Sequence, residues 1–522
     1  RPVKYRMARY DDMVQTGKRH DFFNTYDIGF DNEGVLRGAD IMVAGRCGFS
    51  PDLSDAIVDR AMFHSDNAYS LGQARVVGHR CKTHTVSNTA FRGFGGPQGM
   101  MIIERAMDDI ARHLGMDPLD VRKRNLYGPG RDVTHYGQIV EQHVLPDLID
   151  TLEASSDYRQ RRTEISRFNK ENSILKRGLA LTPVKFGISF TAKHLNQAGA
   201  LVHVYTDGSI HLNHGGTEMG QGLYIKVAQV VAAAFQVDLD RVKVSATRTD
   251  KVPNTSPTAA SSGSDLNGMA ALDACEKILA GLTDFAVQNW SVSPEAIHFS
   301  DNQVQIGDLQ MPWESFVQAA YMNRVPLSSS GFYATPKIHY DPESGKGHPF
   351  LYYSNGAACS EVVIDTLTGE YRVLRTDILF DAGRSLNPDI DIGQIEGGFV
   401  QGMGWLTTEE LVYRDDGKLL TTGPATYKIP AVSDCPPDLR VALLADSPNR
   451  EATIFHSKAV GEPPLMLGIA VWSALRDAVS SLTDYRFSPP LDTPATPERV
   501  LGAVTAAAHV ALFVTPQILG AS

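Results

Sequence analysis

The hydrophobic pattern of this 522-residue chain switches period several times. Three stretches carry β-rich runs that break at a glycine-containing turn. Residues 200–206 (ALVHVYT) pass through Asp207-Gly208 into residues 209–213 (SIHLN). Residues 361–366 (EVVIDT) pass through Thr368-Gly369 into residues 371–374, and residues 411–414 pass through Asp416-Gly417 into residues 418–421. Each predicts a β-hairpin, because glycine takes the positive φ that a tight turn demands. Between them the period changes to that of a helix. Residues 100–114 place Ile103, Met107, Ile110, Ala111 and Leu114 on one face, with Glu104, Asp108 and Arg112 largely opposite. Residues 223–235 are apolar all round and predict a buried helix. Residues 265–282, 393–403 and 466–482 predict three more, the second weakened by its glycines. Hairpins mixed with helices point to an α+β fold rather than a Rossmann sheet. No strict repeat period is present, which disfavours a solenoid. The polar stretches 158–175 and 323–347 read as connectors.

Composition sharpens this picture. Hydrophobic residues make up 43% and charged residues 21%, an ordinary globular mix, and the length calls for more than one cored unit. The net charge of -11 argues against a nucleic-acid partner, which needs a basic face. The five cysteines, Cys47, Cys81, Cys275, Cys359 and Cys435, form no CxxC pair. That argues against a zinc ribbon or an iron–sulfur cluster held by this chain, and suits a reducing cytoplasm. The longest apolar tract, residues 501–514, is interrupted by Thr505 and His509 and is shorter than the roughly 20 residues of a spanning helix. The opening Arg-Pro-Val-Lys has no hydrophobic signal region and no initiator Met, so the chain reads as a piece of something longer.

Candidate chemistry lies in the loops. Residues 91–100 (FRGFGGPQGM) and 214–222 (HGGTEMGQG) are glycine-rich and each precedes a helix, whose free N–H groups suit anionic oxygens. One such loop alone reads as a tight turn. Two of them, joined by the small hydroxyl residues of 254–262 (NTSPTAASS), read as walls of an anion-rich organic cofactor site. Neither a Walker loop nor a dinucleotide fingerprint is present. In residues 457–464 (SKAVGEPP), Glu462 sits between Gly461 and Pro463-Pro464 on rigid, non-helical backbone. That suits a positioned general base, although the same residues alone read as a surface turn. His203 and His211 lie on opposite arms of one hairpin, near His214. Without a third strong ligand they read as polar-face residues rather than a metal site. The cluster Arg159 to Arg162 reads as a solvated face.

Together, SNTAFRGFGGPQGM (residues 87–100), KFGISFT (185–191), HGGTEMGQGL (214–223), VPNTSPTAAS (252–261), LNPDIDIGQIEGGFVQGMG (386–404) and SKAVGEPP resemble the molybdopterin-binding portion of xanthine dehydrogenases. The resemblance runs in order along nearly the whole chain. It is strongest for the bacterial split form, in which this portion is a separate subunit. It implies two elongated subdomains of mixed sheets and helices. The first is expected over residues 1–160 and the second over 161–522, itself with two α+β halves split near 325–350. It implies hydroxylation of hypoxanthine and xanthine with oxygen from water. The expected cofactor is molybdenum with oxo, sulfido and hydroxide ligands on a pterin dithiolene. Glu462 matches the general base. Arg60 matches the arginine that holds the purine, although its own surroundings in sequence read as a helix surface. Phe94 and Phe190 match the rings that sandwich the purine, and Thr191 matches a substrate hydrogen-bonding residue. Phe91, Arg92, Ala259, Ala260 and Ser261 match segments against the molybdenum centre, and Gln221 matches a residue on the pterin. No side chain is expected to ligate the metal directly.

The resemblance also implies partners: two [2Fe-2S] clusters and FAD on another chain or a missing part, NAD as acceptor, and a dimer of such units, without a membrane. The family's FGGKE-type loop and a glutamine near the metal fall before Arg1, so an upstream segment is expected to complete the site. A related hydroxylase for aldehydes or other N-heterocycles is the alternative, which Arg60 and Phe94 argue against. The copper-containing carbon monoxide dehydrogenase carries cysteine where Gly93 stands here. A scaffold that has lost its chemistry is countered by the intact SKAVGEPP.

Overall fold

The computed structural model describes residues 3–248, 250–251 and 254–514. Val252 and Pro253, which open the VPNTSPTAAS motif, lie outside them. Among the described residues the strands form five sheets, mixed with helices throughout, as the α+β expectation requires.

One four-stranded sheet organises the rest. Leu175–Ile188 pairs antiparallel with Tyr352–Asp365, which pairs antiparallel with Tyr371–Asp381, which runs parallel to Asp438–Leu443. The first of these strands is buried on both faces. Ala180, Val184, Phe186 and Ile188 enter the core built on helices Pro388–Thr407 and Ile469–Ser480, while Leu179 and Leu181 enter a second core with helix Gly96–Leu114. A period of two sends alternate residues to opposite faces, so a strand covered on both sides loses the apolar–polar alternation of a half-exposed one. That accounts for the run GLALTPVKFGI.

The second core also takes in the N-terminal sheet. Phe22–Phe30 pairs antiparallel with Leu36–Gly48, which runs parallel to Gln73–Lys82. A third core lies under the sheet of Ser328–Ala334, Gln197–Val204, Ile210–His214 and Val242–Val244, packed by helices Leu223–Phe235 and Gly263–Trp290. Buried charges join the bodies. Asp477 of helix Ile469–Ser480 takes Arg112 at 2.5 Å and Arg162 at 2.5 Å, both from the N-terminal side of the chain.

Two of the three expected hairpins are antiparallel ladders, with Gly208 at φ 80° and Gly369 at φ 77°, the second with a register shift between Glu361 and Val362. The third, around Gly417, makes only the isolated bridge Tyr413↔Leu419, because no further strand extends it into a sheet. The helices appear with extended ends, such as Gly263–Trp290 and Pro388–Thr407. The segment 466–482 is divided between a 3₁₀ turn, Pro463–Gly468, and helix Ile469–Ser480.

Both connector readings are corrected. Residues 158–171 form helix Tyr158–Glu171, and residues 323–347 include strand Ser328–Ala334 and the pair His339–Asp341 and Lys346–His348. Arg161 is likewise not solvated: it is buried between Glu361 at 2.9 Å and Asp377 at 3.0 Å. Among the described residues one segment, Pro463–Thr483, is long and apolar enough to cross a membrane, and 89% of that window is buried inside the protein.

Candidate active site

Three sequence-distant loops meet at Glu462, and a fourth joins them through one of the three. Its Oε1 accepts the Gly93 N–H at 3.1 Å, and its Oε2 accepts the Ser261 hydroxyl at 3.0 Å. The Glu462 N–H in turn donates to Ser261 Oγ at 2.7 Å. The side chain of Arg92 braces the same loop, donating through Nε to the Gly461 carbonyl at 2.6 Å and reaching the Gln394 carbonyl and Gln401 Oε1, both at 3.2 Å. A third connection joins the remaining loop, because Thr217 N–H donates to Thr258 Oγ1 at 2.8 Å. The half-buried carboxylate is thus held at both oxygens by groups from elsewhere in the chain. Glu462 itself opens the 3₁₀ turn that its two prolines start, which refines the non-helical reading of SKAVGEPP.

The backbone here is strained where the loops converge. Ala260 and Ser261 take φ 55° and 57°, and Phe94 takes φ 50°. Non-glycine residues enter this region rarely and persist there when their surroundings over-determine them. Glycine is required next to Phe94: a Cβ on Gly95, at φ 94°, would lie 2.0 Å from the Ile57 carbonyl oxygen.

Arg60 occupies a second buried position. Its guanidinium lies between the rings of Phe186 and Phe350, at 4.9 and 5.1 Å, and donates to the Gly187 carbonyl at 2.9 Å and to the Ser189 carbonyl. It is 1% exposed, so the helix-surface reading of its local sequence is corrected. Arg60 Nε and Thr191 Oγ1 are both buried without a hydrogen-bond partner. Phe190 and Thr191 follow directly on the same strand end and line a groove of about 380 Å³ with Ile338, Tyr340 and Pro349.

The electrostatics tie both positions together. Burial lowers the pKa values of Arg60 and Arg92, and the Glu462 charge opposes the shift in each. Arg19 belongs to the same group, although no motif marked it. It donates to the Arg92 carbonyl at 2.9 Å and packs over Phe91 at 4.2 Å, and burial brings its pKa down to about 9. The glycine-rich loop before helix Leu223–Phe235 differs from its expectation. Glu218 takes the N–H groups of Gly220, Gly222 and Tyr224 at 2.8, 3.1 and 3.0 Å, so the helix start is capped by the chain's own carboxylate. Gln221 folds back on Thr217 O at 2.8 Å. His203 and His211 are directly paired across their strands, and the described residues contain no His/Cys/Asp/Glu group of three suited to a metal.

The family model described as molybdopterin cofactor-binding domain matches residues 151–436, and a second of the same description matches residues 1–126. The chain belongs to the molybdopterin cofactor-binding domain family. Relatives include xanthine dehydrogenase/oxidase of Mus musculus, 48% identical over 509 residues, covering 96% of this chain and 37% of that protein. Xanthine dehydrogenase of Dictyostelium discoideum is 48% identical over 508 residues, covering 96% of this chain and 36% of its own. The chain therefore spans little more than a third of the length of the curated relatives it matches. Quinoline 2-oxidoreductase from Pseudomonas putida 86 shares the fold, with a TM-score of 0.83 at 23% identity over 96% of this chain and 64% of that one.

The converged loops fit such a cofactor by their own chemistry. Phe91 is exposed on the loop that bonds Glu462, and His214 in the glycine-rich loop keeps Nε2 buried and unpartnered. Gly215 is pressed so closely on Thr255 that a Cβ would lie 1.7 Å from its Oγ1, which fixes the two loop walls against each other.

Behind these walls Asp265 accepts the Tyr352 hydroxyl at 2.8 Å, and Tyr352 Oη accepts the Ala459 N–H at 3.1 Å, three residues before Glu462. Burial raises the Asp265 pKa to about 7, opposed by the Tyr352 and Ile454 hydrogen bonds and by Lys226. Between its unfolded value of 3.8 and about 7, the folded chain holds a proton that the unfolded chain has released. Stability from this group is therefore full below pH 3.8 and is lost as pH rises through 7. Asp265→Asn, which mimics the neutral acid, is expected to melt above the parent by a margin that widens with pH and levels off past neutrality. Melting curves of both proteins across that range check it, and a margin independent of pH refutes the assignment.

Proposed function

We propose that this chain is the catalytic molybdopterin-binding portion of a purine hydroxylase, converting hypoxanthine to xanthine and xanthine to urate with oxygen from water. The observation that carries the reading is the buried, aromatic-flanked Arg60 with an unmatched donor, whose guanidinium bonds the Ser189 carbonyl two positions along the chain from Thr191, itself with an unmatched hydroxyl. Unmatched buried polar atoms are costly and suit a ligand with its own oxygens and nitrogens. The 48% identity to xanthine dehydrogenases supports the same substrate class.

In this reading the backbone at Phe91, Arg92, Ala259, Ala260 and Ser261, with Gln221, holds the cofactor. The bound molybdenum–pterin group supplies the two-electron redox chemistry. Glu462 is the general base. With Oε1 on Gly93 and Oε2 on Ser261, its carboxylate cannot swing away, and its remaining lone pairs accept the proton released by the water-derived oxygen as it attacks the purine carbon. Arg60 stabilises the negative charge that develops on the ring, in a site where low dielectric strengthens the effect. Phe94 and Phe190 hold the purine plane by face and edge. The two subdomains divide near residue 160, and the second halves near 325–350. Electrons leave to two [2Fe-2S] clusters and FAD on a partner chain or domain, with NAD as acceptor. An upstream segment completes the pocket, and such units pair as dimers in the cytoplasm.

Arg60→Met separates this reading from an aldehyde or general N-heterocycle hydroxylase. Loss of a charged hydrogen bond is worth about 1.5–3 kcal/mol, so kcat/KM for hypoxanthine is expected to fall by about 10- to 150-fold. Benzaldehyde, with no second carbonyl for Arg60, is expected to lose little. Equal losses on both substrates would overturn the purine assignment.

A further inference from the structure

The arginine that the purine reading depends on is itself aimed by another residue. His64 lies one helical turn after Arg60 and is 1% exposed. Its Nε2 accepts the Gly187 N–H at 3.0 Å, and its Nδ1 lies 3.0 Å from the Arg60 carbonyl. A backbone N–H can only donate, so Nε2 carries no proton, and the ring proton is on Nδ1, donating to Arg60 O. The ring packs on Phe186 at 4.8 Å and edge-on to Phe350 at 5.1 Å, the same two rings that enclose the Arg60 guanidinium. Gly187 is therefore held through both peptide groups that flank its Cα: its N–H by His64, its C=O by Arg60 Nη1. It has no room to shift, since a Cβ on Gly187 would lie 2.2 Å from the Phe350 ring.

We infer that His64 is a positioning residue for Arg60: by fixing the backbone at Gly187 it aims the guanidinium, and so sets the preference for purines over aldehydes that lack a second carbonyl. This rests on the purine reading of Arg60. The surroundings keep the imidazole in its one useful form. Burial, together with the charges of Arg60, Lys185 and His135, holds its pKa well below the ordinary histidine value. Lys185 and the Tyr127 hydroxyl are engaged by Asp66 Oδ2, at 3.4 and 2.8 Å, and leave His64 to the two backbone groups.

Two substitutions divide the functions of the ring. In His64→Gln the side-chain oxygen stands as many bonds from Cβ as Nε2 and can take the Gly187 N–H. In His64→Asn the amide nitrogen stands where Nδ1 does and keeps only the bond to Arg60 O. The measurement is the ratio of kcat/KM for hypoxanthine to that for benzaldehyde, in the assembled, molybdenum-loaded enzyme. His64→Asn is expected to lower the ratio about tenfold, the effect of one lost buried hydrogen bond, and His64→Gln to hold it within about threefold. A general loss of structure would reduce both substrates together and leave the ratio in place. The inference is overturned if His64→Asn keeps the parental ratio or if both variants lower it equally. Arg60→Met, measured alongside, separates the two failures: an unchanged ratio there removes the purine reading itself, whereas a lowered ratio there with a parental one in His64→Asn removes only the role of His64.

Discussion

Glu462→Ala is expected to lower kcat on hypoxanthine by about 10³- to 10⁴-fold, the upper range for a positioned general base, with molybdenum content unchanged. The carboxylate is not a surface group that its neighbours can replace. Both its oxygens are fixed, by the Gly93 N–H and the Ser261 hydroxyl, and the loop that carries it is braced by Arg92 on the Gly461 carbonyl. The groups left behind would be three arginines, Arg19, Arg60 and Arg92, which feel its charge and can only donate. None can accept a proton in its place. Because the cofactor is held by other segments in this reading, metal analysis should match the parent. Parent-like turnover in this variant would remove Glu462 from the chemistry, and loss of molybdenum would recast it as part of the cradle.

The second large effect concerns stability. Lys458, four residues before Glu462, has a side chain with no solvent exposure, and Asp381 pairs with it at equally full burial. Asp381→Ala leaves that ammonium uncompensated, which typically costs about 3–5 kcal/mol. Burial already lowers the Lys458 pKa, and the Asp381 charge is what opposes the shift. The variant is therefore expected to unfold at clearly lower denaturant concentration. Asp381→Ala combined with Lys458→Met, which removes both charges, is expected to recover much of the loss. Near-UV circular dichroism during a urea titration checks both, and a single variant as stable as the parent would show the pair to be dispensable.

What the sequence makes legible follows the range of the interactions involved. The hairpins at Gly208 and Gly369 depend on local turn chemistry and are readable from it. Helix Gly96–Leu114 is readable because its apolar face repeats within one element. Helix Tyr158–Glu171 is not, since its buried face is built of Tyr158, Arg161, Ile165 and Asn169. Arg161 becomes an interior residue only through Glu361 and Asp377, which lie 200 and 216 positions away. Arg60 is the sharpest case. Periodicity treats it as one more charge on a helix, whereas its carbonyl partners are 127 and 129 residues on. Its match to a family motif carries what its own neighbourhood does not. His64 and Arg19 had no such match, and only tertiary structure brings them to the site.

Gly93 and Glu462 are 369 residues apart, yet the N–H of one holds the carboxylate of the other. A contact of such separation forms late, because a long loop must close before the bond offers any return. On the ribosome, the first glycine-rich loop emerges well before the residues that face it exist. The candidate site is therefore a seam that closes only after Glu462 has emerged, so a cofactor held from both sides cannot be enclosed before then.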